Sequence, residues 1–191
     1  MTVVMYQPDH LLTLEEWIDM PQDSSRGYEL VEGVLVVSPR PVSQHQRAIW
    51  RFAAQLEPQL PPTLGVLTEV EVIIESDPVP TVRVPDLLVV PSAGIEENRA
   101  RWNAADVLLA VEVLSLGSKR TDRITKFAEY AEAGIEHYWL VDLDAPASLL
   151  SYHLRGEHYE PVGDRTGRVE LDLGTSPIRI DTTTLTSNRA S

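Results

Sequence analysis

The 191-residue sequence contains no cysteine. Disulfide bonds, thiolate metal sites and a cysteine nucleophile are therefore excluded. Carboxylates and the five histidines are the side chains left to bind a metal ion, and carboxylate oxygens prefer hard cations. Any metal ion bound by this protein is consequently expected to be a hard one.

The sequence also lacks a long apolar run. No stretch approaches the roughly 20 apolar residues that a membrane-spanning helix needs, and the start, MTVVMYQPDHLL, has neither the basic end nor the apolar core of a secretory signal. We therefore expect a cytoplasmic location. The length and the 43% hydrophobic content predict a single domain, residues 1–181, followed by a flexible Thr- and Ser-rich tail, residues 182–191.

Positive charge is scarce in this chain. Lysine and arginine number 16 against 29 aspartates and glutamates, which gives a formal net charge of −13. Because nonspecific nucleic-acid binding draws on clustered cations, this weighs against a tight, nonspecific nucleic-acid binder, although it does not exclude an enzyme that acts on nucleic acid. The basic residues between positions 99 and 126 are Arg99, Arg101, Lys119, Arg120, Arg123 and Lys126. They form either a local positive rim or an ordinary solvated face.

What the chain does contain is an apolar strand with one carboxylate in it. Residues 107–114, VLLAVEVL, are apolar except for Glu112, which is typical of a strand covered on both faces. A buried, ionised carboxylate is costly unless it is protonated, paired or bound to a metal ion. Asp86 repeats this pattern within residues 81–90. If the two strands are neighbours, both acids point into one cleft, where a shared cation offsets the desolvation of each.

Periodicity and turn signals predict the remaining elements. Helices are expected at residues 14–20, 43–56, near 95–102, and from 118 or 121 to Gly134; capping-box spacing marks the first two of these helices, at Thr13 and Ser43. The predicted strands are residues 28–31, 34–38, 67–75, 81–90, 107–114, 135–141, 149–154, 158–162 and 169–173. The helix that joins strands 107–114 and 135–141 predicts a parallel crossover between them.

Three further polar residues each have two interpretations. Glu29 is either an exposed strand residue or a member of a site, and His45, in the first turn of its helix, is either a satisfied core histidine or one that faces a cleft. The helix after Glu112 has an apolar stripe formed by Ile124, Phe127, Ala128 and Ala131. Lys126 lies about 120° from the centre of this stripe, so helical geometry favours a flanking or exposed lysine unless that flank overlooks the cleft. Phosphate-loop, dinucleotide, nucleophile-elbow and zinc-protease motifs are absent, which leaves a carboxylate site with a nearby lysine.

Several motifs occur in a fixed order along the chain. They are ELVEG at residues 29–33, Ser38-Pro39, His45, VPD at 84–86, VEVLS at 111–115, the row Asp122, Lys126 and Tyr130, and AGIEHYWLVD at 133–142. Together they resemble the Uma-two (Uma2) family of endonucleases, within the PD-(D/E)XK, or restriction-endonuclease-like, superfamily. The resemblance covers roughly residues 12–181, nearly the whole chain.

The resemblance implies a restriction-endonuclease-like fold of the α/β (α+β) class, with a mixed central β-sheet flanked by helices and extra N-terminal and C-terminal β-hairpins. It implies a metal-dependent endonuclease that hydrolyses phosphodiester bonds of nucleic acid, with DNA as the expected substrate and a homodimer as the expected assembly. The cofactor would be Mg²⁺ or Mn²⁺, held by Asp86, Glu112 and the Val113 backbone carbonyl. Lys126 would orient the attacking water or stabilise developing charge, while Glu29 and His45 match the family's early acid and histidine.

The sequence departs from the superfamily pattern at two places. The superfamily lysine normally lies two residues after the second acid, where this chain has Leu114, so the resemblance points to Lys126 on the following helix instead. Leu116-Gly117 stands where the family tends to have a proline and a small polar residue. The alternative function is a nuclease-fold interaction module that has kept the scaffold and lost the reaction, which Leu114 and the net charge of −13 favour.

Overall fold

The computed structural model describes residues 8–20, 27–38, 41–115, 117–174 and 177–187. The strands in these residues, numbered in chain order, are β1 (Gly27–Val31), β2 (Val34–Ser38), β3 (Leu64–Leu67), β4 (Glu71–Glu75), β5 (Thr81–Arg83), β6 (Leu87–Pro91), β7 (Arg101–Asn103), β8 (Leu109–Leu114), β9 (His137–Asp142), β10 (Ser148–Arg155), β11 (His158–Thr166), β12 (Arg168–Asp172) and β13 (Pro177–Asp181). The α-helices are α1 (Leu14–Asp19), α2 (Ser43–Leu56), α3 (Ser92–Glu96), α4 (Lys126–Glu132) and α5 (Thr183–Thr186). Pro39 and Leu116, from the sequence motifs, lie outside the described residues.

The central sheet has six strands in the order β11-β10-β9-β8-β6-β3. β8 and β9 are parallel, and the other neighbouring strands are antiparallel, so the sheet is mixed as predicted. The helical connection between β8 and β9 confirms the expected parallel crossover. Every residue of β8 is buried, because α2 and the β12–β13 hairpin cover one face of the sheet while α4 covers the other. Side-chain alternation then places Glu112 on the α4 face.

A second sheet has the strand order β2-β1-β5-β4-β7. The N-terminal hairpin joins it through β1, where Leu30 lies opposite Val82 of β5. Helix α1 packs on this sheet through the buried Trp17, and its predicted capping box at Thr13 is formed. The other predicted hairpin, β10–β11, extends the central sheet, whereas β12–β13 forms a separate two-stranded sheet.

Two strands predicted as continuous are divided between the sheets. The predicted strand 67–75 shares only Leu67 with β3 of the central sheet and continues as β4 in the second sheet, with a break at Glu69, whose φ is 54°. The predicted strand 81–90 is likewise divided between β5 and β6. Asp86 therefore lies just before a strand rather than inside one. An alternating pattern shows which side chains are buried but not which sheet buries them. It therefore does not reveal the residue at which the chain passes from one sheet to the other.

Smaller differences concern the helices. The helix predicted near residues 95–102 ends at Glu96, and β7 follows it. Helix α2 begins at Ser43, but its N-cap is Val42 without a side-chain cap, so the second predicted capping box is absent. In the tail predicted to be flexible, Thr182 and Leu185 are buried and residues 183–186 form α5. Residues 188–191 lie outside the described residues. Among the described residues, no helix is long and apolar enough to cross a membrane.

Candidate active site

Glu112 is a buried acid with two hydrogen-bond donors from the helical segment that follows β8. It is 4% exposed. Its Oε1 atom accepts hydrogen bonds from Lys126 Nζ at 2.7 Å and from Tyr130 Oη at 3.0 Å. The anomalous carboxylate of the central strand is thus paired with the ammonium group of Lys126.

Lys126 is buried at the centre of a group of carboxylates. It is 6% exposed, and besides Glu112 its Nζ lies 3.1 Å from Glu29 Oε1 and 3.8 Å from Asp122 Oδ1. The N-terminal hairpin, the central strand and the following helix each supply one of these acids. One cation is therefore shared among three carboxyl side chains.

Of the two interpretations of Lys126, the exposed lysine is wrong, because the side chain is buried and contacts Glu112. Ile124, placed in the packing stripe from the sequence, is 60% exposed, whereas Asp122, Lys126 and Tyr130 are buried. The cause is local: residues 121–125 form a π-helical turn before α4 begins. A π turn has more residues than an α turn, so it rotates the preceding residues relative to an ideal helical wheel. Asp122, Lys126 and Tyr130 then face the sheet, where the carboxyl group of Glu112 compensates the positive charge of Lys126.

Asp86 and His45 bind the backbone next to Glu112. Val113 N–H donates to Asp86 Oδ2 at 2.7 Å. His45 Nε2 donates to the Val113 carbonyl at 2.7 Å and lies 3.3 Å from Asp86 Oδ2. Pairing of β6 with β8 reaches only to Leu87 opposite Val111, so these two side chains satisfy backbone groups that have no β6 partner. Both interpretations of His45 hold in part, since it is buried and also lies next to Asp86.

Arg83 links the N-terminal hairpin to the helix and was not predicted as part of the site. It donates to Glu29 Oε2 at 3.0 Å and to both carboxylate oxygens of Glu129 at 2.6 and 2.7 Å. Glu29 also accepts from Val84 N–H at 3.2 Å, so its interpretation as an exposed strand residue is wrong. The sequence signal for Arg83 was its position in an otherwise apolar strand, the same anomaly that identified Asp86.

The carboxyl groups of the candidate site lie close together in a buried environment, which shifts their pKa values. Burial, with the nearby charges of Asp86 and Asp122, raises the pKa of Glu112 to about 8 in spite of Lys126. Burial also raises the pKa of Asp122. Burial opposes charge on Glu29 as well, but Lys126 and Arg83 together lower its pKa. The three carboxylates raise the pKa of Lys126 against the effect of burial, so the lysine is charged at neutral pH.

The raised pKa of Glu112 predicts a pH-dependent stability. Its ordinary pKa is 4.5 and its folded-state pKa is about 8, so over this range the folded state binds the proton more tightly than the unfolded chain. The contribution of Glu112 to the free energy of unfolding is therefore fully present below pH 4.5 and is lost as the pH rises through 8. In EDTA, the Tm of the wild type should fall more steeply over this interval than the Tm of Glu112→Gln. Parallel curves would contradict the assignment.

The donor set fits a hard divalent cation. The acids of the network are Glu29, Asp86, Glu112, Asp122 and Glu129. The arginine and lysine within it are Arg83 and Lys126, so negative charge is in excess. Within the residues that the structure describes, both carboxylate oxygens of Asp122 are buried without a hydrogen-bond partner. A cluster of oxygen ligands with uncompensated negative charge is what Mg²⁺ and Mn²⁺ prefer.

Most of the basic residues proposed for a positive rim are paired with acids, whereas Arg120 is exposed without an ion pair in the described part of the chain. Lys119 and Arg123 pair with Asp142 at the end of β9, and Lys119 also pairs with Asp144. Arg99 pairs with Glu97 and Asp106, and Arg101 pairs with Glu71. These basic side chains are therefore compensated within the protein.

Comparisons with known proteins agree with this architecture. No curated protein matches the chain. A crystal structure of a putative nuclease belonging to DUF820 from Anabaena variabilis ATCC 29413 is similar with a TM-score of 0.71 and 19% sequence identity, over 91% of this chain and 97% of that one. At that identity the likeness shows a shared fold, a mixed α+β fold with central sheets flanked by helices. A model of the Uma2 family, described as putative restriction endonuclease, matches residues 14–180. Because this match spans most of the sequence, the chain belongs to the Uma2 family.

Proposed function

We propose that this protein is a Mg²⁺- or Mn²⁺-dependent endonuclease that hydrolyses phosphodiester bonds of nucleic acid, with DNA as the expected substrate. The observation that carries the proposal is the meeting of Asp86, Glu112 and the buried Lys126 around the end of β8. Membership of a restriction endonuclease family makes nucleic acid the expected substrate. Perturbed and crowded titratable groups of this kind are typical of catalytic sites.

In this proposal Asp86, Glu112 and the Val113 carbonyl hold the metal ion. When bound, the ion polarises the phosphate and lowers the pKa of a water molecule. His45 positions the Val113 carbonyl and the Asp86 carboxylate, since it contacts both. Glu29 is bound by Arg83 and Val84 and in turn holds the Lys126 ammonium group.

Lys126 is proposed to contact the reacting groups. Its ammonium group is charged and 2.7 Å from Glu112, so it can orient the attacking water or stabilise the negative charge that develops on the phosphate. It takes the place of the lysine that the superfamily normally carries at the position of Leu114. Because basic side chains near the site are paired with acids, substrate affinity is expected to be weak.

Cleavage of supercoiled plasmid tests the proposal. We expect nicked or linear product with Mg²⁺ or Mn²⁺ and none in EDTA. Glu112→Gln, purified in the same way, is the control for contaminating nucleases and should give no product. Single-stranded DNA and RNA are tested in parallel to identify the substrate. If none of the three is cleaved with either metal ion, the enzymatic proposal is rejected.

The second candidate is an interaction module without nuclease activity. The specific observation in its favour is that Lys126 is already compensated by Glu112 and Glu29 within a buried network, while Leu114 is buried in the core. An inactive module would show no cleavage and no rise in Tm with Mg²⁺ or Mn²⁺, because a ligand that binds the folded state must stabilise it.

We also propose that the protein is a homodimer located in the cytoplasm. A homodimer would place two sites on the two strands of a duplex, and sedimentation velocity would detect it; a monomer at micromolar concentration would reject it. A cytoplasmic location remains the expectation from the sequence, and cell fractionation would test it.

A further inference from the structure

A second cluster of metal-ligand side chains lies at the start of β9. Glu136, His137 and His153 each offer one ligand atom, and these atoms all lie within 4.8 Å of one another. His137 and His153 are directly opposite each other on β9 and β10, and their rings stack with centroids 4.6 Å apart. Two neighbouring strands thus bring two imidazoles and one carboxylate together.

The carboxylate faces both imidazoles at suitable distances. Glu136 Oε1 lies 3.5 Å from His137 Nε2 and 3.3 Å from His153 Nε2. A tetrahedral Zn²⁺ with ligands at about 2.0–2.1 Å holds neighbouring ligand atoms about 3.3–3.4 Å apart. Two of the three separations already agree with this geometry. The two rings, inclined by 16°, need to tilt apart to direct both nitrogen lone pairs at one ion.

His137 has a ring nitrogen that makes no hydrogen bond in the described part of the chain, although Glu136 Oε1 lies 3.5 Å from it. The residue is 4% exposed, and its Nε2 is a buried atom with no hydrogen bond in the part of the chain that the structure describes. Since buried polar atoms are nearly always hydrogen-bonded, a nitrogen without a hydrogen bond within a group of ligand atoms is available to bind a metal ion.

The cluster is separate from the candidate active site. In the parallel pairing of β8 with β9, His137 lies beside Leu109, whereas Leu140 lies beside Glu112. His137 is three residues from Leu140, about 10 Å along the strand, and an odd separation places the two side chains on opposite faces of the sheet. An ion held by His137 is therefore not shared with Glu112.

We propose that Glu136, His137 and His153 form a binding site for a late first-row divalent cation, with Zn²⁺ as the expected occupant. Imidazole and carboxylate ligands suit Zn²⁺, whereas the oxygen ligands of the candidate active site suit Mg²⁺ or Mn²⁺. Glu136 is exposed and His137 is buried. A bound ion would therefore be partly accessible to solvent, and water molecules would complete its coordination. The bound ion joins β9 to β10 and stabilises the folded sheet.

Zinc binding by the chelator-treated full chain tests this proposal. The protein is titrated with ZnCl₂ in saturating Mg²⁺ by calorimetry, and with Co²⁺ by visible absorption, which reports tetrahedral coordination. We expect one Zn²⁺ per chain, a tetrahedral Co²⁺ spectrum and a higher Tm. Glu136→Gln and His153→Ala, both at least partly exposed, should keep the fold and weaken Zn²⁺ binding at least about tenfold.

Two control variants separate this site from other sources of binding. His158→Ala removes an exposed histidine of β11 that is not in the cluster, and it should bind Zn²⁺ like the wild type. Asp86→Asn alters the candidate active site and should also retain Zn²⁺ binding. The proposal is overturned if the wild type does not bind Zn²⁺, or if binding is lost in Asp86→Asn and unchanged in His153→Ala and Glu136→Gln.

Discussion

Replacing Lys126 by methionine is expected to lower the free energy of unfolding by roughly 3–5 kcal/mol at neutral pH. Methionine keeps the length and apolar stem of the side chain but leaves Glu29, Glu112 and Asp122 without their shared cation. Desolvated carboxylates without a partner are strongly destabilising. Urea unfolding of the metal-free protein measures the change.

Lys119→Met is the matched control. Lys119 pairs with Asp142 and Asp144, but it is more open to solvent than Lys126, so its substitution should change stability far less. If Lys126→Met is too unstable to study, Lys126→Met combined with Glu112→Gln removes one buried acid together with the cation and should recover part of the loss. A Lys126→Met protein as stable as the Lys119→Met protein would contradict the buried network.

Asp86→Asn is expected to reduce cleavage at least about 10²–10³-fold, the scale of removing one charge-stabilising group from a reaction centre. In the wild type, Val113 N–H donates a hydrogen bond to Asp86 Oδ2 at 2.7 Å. Asparagine keeps an oxygen that can accept this hydrogen bond, so the fold should be preserved. The substitution removes the negative charge proposed to hold the metal ion. The increase in Tm with Mn²⁺ should therefore disappear together with cleavage.

The control for this variant is Asp106→Asn. Asp106 pairs with Arg99 just before β8 begins, whereas Glu112 and Val113 lie near the other end of that strand. The substitution should therefore leave both cleavage and the metal-dependent change in Tm intact. Cleavage by Asp86→Asn at more than about a tenth of the wild-type rate would remove Asp86 from the proposed mechanism, since a tenfold loss is only about 1.4 kcal/mol.

The buried strand around Glu112 could be predicted because burial on both faces gives a continuous apolar run. The crossover to β9 was equally predictable from the helical segment between two such runs. The long strands at residues 67–75 and 81–90 could not be predicted correctly, because alternation is the same whether one sheet or two bury the side chains. Their division places Arg83 in one sheet and leaves Asp86 just before the other.

The orientation of Lys126 shows where helical periodicity fails. An ideal helical wheel places it away from the packed stripe, but the π-helical turn at residues 121–125 and the buried Glu112 reverse that result. His45 was ambiguous for a different reason. Its role depends on backbone groups of Val113 that are free only because β6 begins at Leu87.

The sequence by itself determined the available chemistry and the family. Without cysteine, carboxylates and histidines are the candidate ligands, and two acids in apolar surroundings single out Asp86 and Glu112. Only the tertiary structure decided which groups meet: Glu29 and Arg83 with the helix that carries Lys126, and His137 with His153. These contacts join residues far apart in the chain, and they depend on strand pairing and on one wide helical turn, neither of which leaves a periodic pattern in the sequence.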